Sequence, residues 1–311
     1  MFHSNNGNRH FLLDTDHHSG TLTTDSRSSW VRDSVLDTSL QSSKRFRASV
    51  AVVQPNKSVD GISQAAWGNT WWKTIQTTSK DKNPLTSSNN FKKNGSVQML
   101  AGTGFGEPPA VRSIQVDDKT YLFAPIVNSA ADNAGLPPDW TTADSRYFTK
   151  SVIDAVKFNQ DLFYEVDSKS LIHGRAWKQY RQQSPKAFSF VVPKNHYIGP
   201  DGGYTTGLQV DHGISDGYWV MLKPLPAGNH TIHFGGTFDL SQIKVKDLNG
   251  DGQIGYDPTK TPNPTAKQVI ESYLQAYQSL GTIKIDVTYN VKVTHSTVTP
   301  CKLDLSALAA V

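Results

Sequence analysis

The chain has 311 residues, of which 37% are hydrophobic and 19% are charged. Its 31 basic and 27 acidic residues leave a net charge of +4, which is too small to predict a nucleic-acid partner. No apolar run approaches the ~20 residues that a membrane-spanning helix needs, so we do not expect the chain to span a membrane. Cys301 is the single cysteine, which excludes an intrachain disulfide and zinc sites built from cysteines.

Residues 1–45 are rich in Ser, Thr, Asp, His and Asn and show no sustained hydrophobic period. We predict a polar arm that is extended or disordered, or is ordered by a partner, and that supports a homo-oligomer or a surface assembly. The apolar residues at 11–13 are followed by Asp14 and fall far short of the core of a signal peptide. Residues 46–300 are predicted to form one domain, with 301–311 as a C-terminal tail.

Within the predicted domain, short apolar runs alternate with turns. Trp67, Trp71 and Ile75 fall on one helical face and predict a helix over 62–75. A mixed helical pattern at 151–163 predicts a second helix. Strands are predicted at 97–101, 111–116, 121–127, 187–192, 217–222, 229–234 and 282–293.

A stretch over 173–181 interleaves cations with aromatic residues. Arg175, Trp177, Tyr180 and Arg181 form a combination that suits stacking on sugars or binding of anionic polymers. The alternative is an edge strand whose long cationic side chains cover an apolar surface. We therefore treat these four residues as candidate ligand-binding residues, with a glycan as the expected ligand.

An insert at 239–281 carries a pattern typical of calcium-binding loops. Asp247, Asn249 and Asp251 provide oxygen ligands at alternate positions, and the carbonyl of Gln253 follows. Position 12 of such a loop normally holds a bidentate carboxylate but is Pro258 here, and the nearest acid is Asp257. The alternative is a turn rich in Asp, Asn and Gly. If Ca²⁺ binds, we expect it to stabilise the insert and not to take part in chemistry.

The insert ends in a predicted helix, and the last strand follows. Thr265 is suited to cap a helix that carries an apolar stripe from Val269 to Leu280 and ends at Gly281. The run 282–293 has the strictest alternation in the chain, with residues such as Ile285 and Val287 on one face and polar residues on the other. Together these patterns predict a mainly β chain, an antiparallel β-sandwich or jelly-roll-like domain with one or two packed helices.

Catalytic patterns are sparse. The sequence contains no G-x-S-x-G, no H-E-x-x-H and no phosphate-binding glycine loop. His230 and His233 are an odd number of residues apart on a strand and are expected to point to opposite faces. The carboxylates that could form a hydrolase pair have no distinguishing context; they are Glu165, Asp167, Asp211 and Asp216.

Several segments between about residue 62 and 293, with the insert left outside, form a combined pattern. The pattern begins with the Trp-rich stretch Ala66-Trp67-Gly68-Asn69-Thr70-Trp71-Trp72 and continues through Asn83-Pro84, Gly95-Ser96-Val97, Leu100 to Thr103, Val111-Arg112, Leu122 to Asn128, Tyr180-Arg181, Ser184-Pro185 and Phe188. Its most specific part runs from Asp216 to Gly236, and Val287 to Val291 also fits. Together these segments resemble a group of uncharacterised bacterial proteins that are usually made with an export signal.

The resemblance implies a fold and an extracellular or cell-surface setting, and it supplies no catalytic residues. The chain departs from the family pattern in two ways. Members often carry cysteines around the central strands, which this chain lacks, and they usually begin with an export signal, which its sequence does not show. We expect a non-catalytic extracellular or cell-surface protein that binds a glycan or self-assembles and is stabilised by calcium. The alternative is a secreted hydrolase that acts on a polysaccharide through a pair of carboxylates.

Overall fold

The computed structural model describes residues 50–104, 106–157 and 161–296, so the predicted arm at 1–45 and tail at 301–311 lie outside the described residues. The helices are α1 (Gln64–Thr77), α2 (Thr142–Ile153) and α3 (Ala266–Ser279). The strands are β1 (Val97–Met99), β2 (Ala110–Asp117), β3 (Tyr121–Ala131), β4 (Phe163–Val166), β5 (Lys169–Ser170), β6 (Arg181–Gln183), β7 (Phe188–Val191), β8 (Gln209–Leu222), β9 (Gly228–Asp239) and β10 (Thr282–Thr294). The prediction of a mainly β chain is confirmed.

The strands form two sheets. Sheet A has the order β1-β3-β8-β6, with β7 also paired to β8, and sheet B has the order β2-β10-β9-β4-β5. β1 pairs with β3 and β2 pairs with β10 in parallel, whereas the other pairs of named strands are antiparallel. The chain passes through β2 in sheet B between β1 and β3, and such a crossover allows two strands of one sheet to run in the same direction. The predicted antiparallel sandwich is thus corrected to two mixed sheets.

A large buried cluster joins the two sheets. It includes Val220 of sheet A and Phe234, Val287 and Tyr289 of sheet B. The predicted alternation of the last strand is confirmed, because its odd-numbered residues from 283 to 293 are buried and the residues between them are exposed or half-buried. Sheet B therefore has one apolar face toward sheet A and one polar face.

Helix α1 covers the opposite face of sheet A and confirms the helix predicted over 62–75. The Ser63 side chain accepts a hydrogen bond from the Ala66 N–H at the start of the helix. Trp67 and Trp71 are buried against Trp219 of β8. A Cβ atom at Gly68 would lie 3.1 Å from the Trp219 ring, so the absence of a side chain allows this close approach.

Residues 240–281 leave and rejoin sheet B at one end, because Asp239 of β9 is paired with Thr282 of β10. Within this segment, α3 confirms the predicted helix, and Thr265 and Gln268 form its capping box. The helix predicted over 151–163 is wrong over most of its length, since α2 ends at Ile153 and β4 begins at Phe163. No helix in the described part of the chain combines the length and apolar character needed to cross a membrane.

Candidate functional site

A cleft of about 480 Å³ lies beside the C-terminal half of α1. Its aromatic lining residues are Trp71 and Trp72 of α1, Tyr197 of a loop, and Phe238 of β9. Clefts of this size with a mainly apolar lining and a few polar groups are typical of small-molecule sites. The cleft is therefore the best candidate for a functional site in the described residues.

Helix α1 presents two adjacent indoles at the cleft. Trp71 and Trp72 pack edge to face with ring centroids 5.0 Å apart. Trp71 donates from Nε1 to the carbonyl oxygen of Leu100 at 2.8 Å, which satisfies its polar atom. Trp72 is only 6% exposed, and its buried Nε1 has no hydrogen-bond partner within the part of the chain that the structure describes.

Two further residues that line the cleft, Thr103 and Tyr197, also carry a buried polar atom without a partner. The Oγ1 of Thr103 and the Oη of Tyr197 form no hydrogen bond with any described residue. A buried polar group left unsatisfied costs about 1–3 kcal/mol, and native structures retain few of them. Because these atoms have almost no accessible surface, they lie beneath the lining of the cleft, and a partner reaches them only if neighbouring side chains move.

The charged groups of the lining, Lys80 and Glu107, are exposed and therefore lie toward the mouth of the cleft. Within the described residues neither forms an ion pair. Burial raises the pKa of Tyr197, so its hydroxyl stays protonated and can donate a hydrogen bond at neutral pH. The interior of the cleft is thus neutral, and the charges belong to its entrance.

A buried polar network lies behind the Tyr197 side of the cleft. His196 donates from Nε2 to Oε1 of Gln76 at 3.1 Å, and Gln76 donates from Nε2 to Oδ2 of Asp132 at 3.2 Å. Tyr204 donates to the same carboxylate at 2.8 Å, and its ring stacks on His196. Burial raises the pKa of Asp132, opposed by hydrogen bonds from the Ala134 N–H and from Tyr204. Because Gln76 belongs to α1 and His196 precedes Tyr197, the network links two walls of the cleft.

The chemistry of the described lining favours binding over catalysis. Glu107 is the one carboxylate among the described lining residues, so the cleft does not offer the pair that glycoside hydrolysis requires. Among the described residues, the Thr103 hydroxyl has no hydrogen-bonded base beside it, as activation of a nucleophile demands. The arrangement can hold a ligand against aromatic rings.

The four residues predicted to bind a ligand lie outside the described lining of this cleft. Trp177 and Tyr180 are buried in the core between the sheets and are 1% and 3% exposed, so neither presents an open ring face. Arg175 is exposed. Arg181 forms two hydrogen bonds with the buried carboxylate of Asp216, at 3.0 and 2.8 Å, and a third with Asp154 at 2.7 Å. The guanidinium group of Arg181 therefore anchors β6 to β8.

The candidate hydrolytic carboxylates and the two histidines occupy separate places. Burial raises the pKa of Asp216, against the opposing effect of Arg181. Glu165 lies 3.4 Å from Nδ1 of His233, whose Nε2 contacts Asp286 at 2.8 Å. His230 instead contacts Asp167 at 2.8 Å. Asp211 accepts a hydrogen bond from Gln209. The two histidines do not share a partner, in agreement with their predicted opposite orientation.

The predicted calcium loop is a tight turn in which the carboxylates bind backbone amides. Asp247 accepts from the N–H groups of Gly250 and Gly252 at 2.6 and 2.8 Å, and Asp251 accepts from Gln253 N–H at 2.8 Å. Asn249 donates from Nδ2 to Asp251 at 2.7 Å.

Asp257 points to a different partner set, Thr259 and Lys260, and so does not close the loop at its missing last position. No group of three or more His, Cys, Asp or Glu residues placed to hold a metal occurs among residues 50–104, 106–157 and 161–296. Calcium binding by this loop stays a prediction.

Sequence reasoning missed Glu271, which holds the loop against α3. This residue is fully buried, and its two carboxylate oxygens accept hydrogen bonds from the Leu248 N–H and from the Gly255 N–H. The sequence could have predicted that Glu271 is buried, because it lies between Ile270 and Leu274 in the apolar stripe of α3. No sequence pattern could have predicted the cleft, because Trp72, Thr103 and Tyr197 come from three distant segments.

The chain was also compared with known proteins. No protein-family model matches it, and neither a curated protein nor a solved structure does so. The resemblance to exported bacterial proteins therefore stays a prediction, and the proposals below rest on the residues of this chain.

Proposed function

We propose that the protein is a non-catalytic glycan-binding protein whose saccharide site is the aromatic cleft beside α1. The observation that carries the proposal is an open cleft of about 480 Å³ in which aromatic side chains, among them Trp72 and Tyr197, stand beside the exposed polar side chains of Lys80 and Glu107.

The composition of the cleft supports a saccharide as the ligand class. A sugar ring carries apolar C–H groups that pack on aromatic residues such as Trp72 and Tyr197. Glu107 at the mouth is able to accept hydrogen bonds from sugar hydroxyl groups. The apolar floor, which includes Ile126 and Val127, gives the ligand a dry contact surface.

Hydrolysis of a polysaccharide is the less well supported function for the same cleft. Glycoside hydrolases place two carboxyl groups about 5–10 Å apart across the scissile bond. The described lining provides only Glu107. Binding without cleavage therefore fits the cleft better.

The proposal is tested by titration calorimetry against a panel of neutral and acidic oligosaccharides. We expect at least one to bind, and Tyr197→Leu to weaken it about fivefold, because contact with an aromatic ring contributes roughly 1 kcal/mol. Tyr256→Leu, in the segment 240–281, is the matched control and should leave the dissociation constant unchanged. A panel without any binder, or equal affinity of the wild type and Tyr197→Leu, would refute the proposal.

Three further parts of the predicted function are retained as proposals. Calcium at Asp247, Asn249, Asp251 and Gln253 would stabilise the segment 240–281, and residues 1–45 would mediate self-assembly. A place outside the cell or on its surface suits glycan binding. Light scattering of the full chain and of a chain lacking residues 1–45, each with and without calcium, tests assembly and the metal together. We expect the deletion to remove the oligomer, and an oligomer that persists would contradict this part.

A further inference from the structure

Three asparagines of the chain are followed directly by glycine, and such pairs are open to a reaction within the backbone. The nitrogen of the glycine can attack the side-chain carbonyl carbon of the asparagine, because glycine has no side chain to obstruct the approach. Asn6-Gly7 lies outside the described residues. The two other pairs, Asn94-Gly95 and Asn249-Gly250, share the same chemistry and differ in their surroundings, so they can be compared directly.

At Asn94, both reacting groups are unbound within the described chain. The Asn94 side chain is exposed, and neither this side chain nor the Gly95 N–H forms a hydrogen bond with a described residue. Gly95 has a φ of 58° and occupies the first central position of a two-residue turn, where glycine is favoured. No hydrogen bond of the described chain therefore has to break before Cγ of Asn94 approaches the nitrogen of Gly95.

At Asn249, the same two groups are held in place. Asn249 is half-buried, its Nδ2 donates to Oδ2 of Asp251 at 2.7 Å, and its Oδ1 accepts from the Asp251 N–H at 3.4 Å. The Gly250 N–H donates to Oδ1 of Asp247 at 2.6 Å. Hydrogen bonds to a carboxylate are stronger than those between neutral groups, so their loss adds to the barrier of the reaction at Asn249.

We infer that Asn94 is a site of spontaneous deamidation in the folded protein and that Asn249 is protected from it. In the reaction, a bond forms between the Gly95 nitrogen and Cγ of Asn94, and the bond from Cγ to Nδ2 breaks. The side-chain amide leaves as ammonia and takes the proton of the Gly95 N–H. Water then opens the cyclic imide at one of its two carbonyl carbons and gives aspartate or isoaspartate.

The products alter the turn that leads into β1. Both products add a negative charge, and isoaspartate also adds one carbon atom to the backbone after residue 94. The turn is tightly bonded, because Asn94 and Val97 exchange two backbone hydrogen bonds, at 2.8 and 2.9 Å, and Asp60 accepts two more from Ser96, each at 2.7 Å. Val97 is fully buried, so we expect the isoaspartate form to be less stable than the original chain.

The test is incubation of the full chain at neutral pH with a calcium chelator, so that a bound ion does not hold Asn249, followed by peptide mapping with mass spectrometry. We expect Asn94 to convert to aspartate and isoaspartate about tenfold faster than Asn249. In urea the two rates should be similar, because the hydrogen bonds are lost. Asn94→Gln has a longer side chain that would have to close a larger ring, and it should abolish the modification at 94 and leave the rate at Asn249 unchanged.

Two variants of Asp247 test the physical cause. Asp247→Ala removes the acceptor of the Gly250 N–H and should accelerate deamidation of Asn249, whereas Asp247→Asn keeps an acceptor oxygen and should have a smaller effect. Equal rates at Asn94 and Asn249 in the folded chain, or a faster reaction at Asn249, would overturn the inference. A difference that persists in urea would also overturn it, since its cause would then be the neighbouring sequence. An unchanged rate in Asp247→Ala would overturn the protection assigned to this hydrogen bond.

Discussion

The cleft beside α1 and the turn at 247–257 both contain polar side chains, but the two regions differ in whether these side chains form hydrogen bonds within the chain. In the turn, Asp247, Asp251 and the buried Glu271 accept hydrogen bonds from nearby backbone N–H groups. In the cleft, three buried polar atoms accept or donate none within the described chain. The polar groups of the turn have hydrogen-bond partners within the chain, whereas these three atoms at the cleft have none among the described residues.

This difference separates buried polar groups that stabilise the chain from buried polar groups that lower its stability. A buried network whose members are all satisfied makes its neighbourhood rigid, whereas an unsatisfied buried group costs free energy of folding. Removal of polar groups in the two regions should therefore have different consequences. In the turn it should reduce stability, and at the cleft it should leave stability unchanged or raise it slightly.

The largest expected effect is at Glu271. Glu271→Ala leaves the N–H groups of Leu248 and Gly255 without their acceptor, and we expect the free energy of unfolding to fall by about 3 kcal/mol. Urea denaturation followed by tryptophan fluorescence measures this loss. Lys267→Ala, on the exposed side of the same helix, is the control and should change stability by less than about 0.5 kcal/mol. A loss at Glu271 no larger than that of the control would show that the turn does not depend on this carboxylate.

Calcium should have the next largest effect. At a free calcium concentration 100 times the dissociation constant, binding would add about 2.7 kcal/mol to the free energy of unfolding. We expect chelation to lower the melting temperature, and Asp251→Ala to abolish the difference between calcium and chelator. Asp201→Ala, an exposed aspartate outside the insert, should retain it. An identical melting temperature with calcium and with chelator would refute the calcium prediction.

Two tyrosines allow a direct test of the comparison. Tyr204→Phe removes a hydroxyl that donates to the buried carboxylate of Asp132, and we expect a loss of about 1–3 kcal/mol in stability. Tyr197→Phe removes a buried hydroxyl that has no hydrogen-bond partner among the described residues, so stability should stay unchanged or rise slightly. Thermal denaturation of both variants measures the two changes in stability. A Tyr197→Phe variant as unstable as Tyr204→Phe would mean that the cleft hydroxyl has a structural role.

The smallest expected effect is the response of the turn to acid. Hydrogen bonds from Asn249 and from the Gln253 N–H lower the pKa of Asp251, and those from Thr259 lower the pKa of Asp257. Their folded-state pKa values lie below the unfolded value of 3.8, so the stability they contribute is present above that pH and is lost as the pH falls below it. We expect hydrogen exchange of the amides at 248–257 to rise, relative to those of β10, between pH 5 and pH 2.5. Parallel changes in both segments would argue against a local effect.

Sequence patterns were informative where a single element decides the outcome. The alternation over 282–293 reflects one sheet face turned toward the core, and Thr265 with Gln268 marks the start of α3. The pattern at 151–163 misled because α2 begins earlier, at the capping box of Thr141 and Asp144. The ligand-binding prediction for 173–181 depended on side-chain exposure, which composition cannot supply, and Trp177 and Tyr180 are buried.

The sequence by itself determined the mainly β character, the amphipathic faces of α1, α3 and β10, and the turn at 247–257. Each depends on local periodicity or on side chains within a few residues of one another. Only the tertiary structure decided the parallel pairing of β1 with β3 and of β2 with β10, because strand direction depends on how the chain crosses between sheets. It also decided the cleft, since Trp72, Thr103 and Tyr197 meet there from separate segments, and their lack of partners is a property of the packed chain.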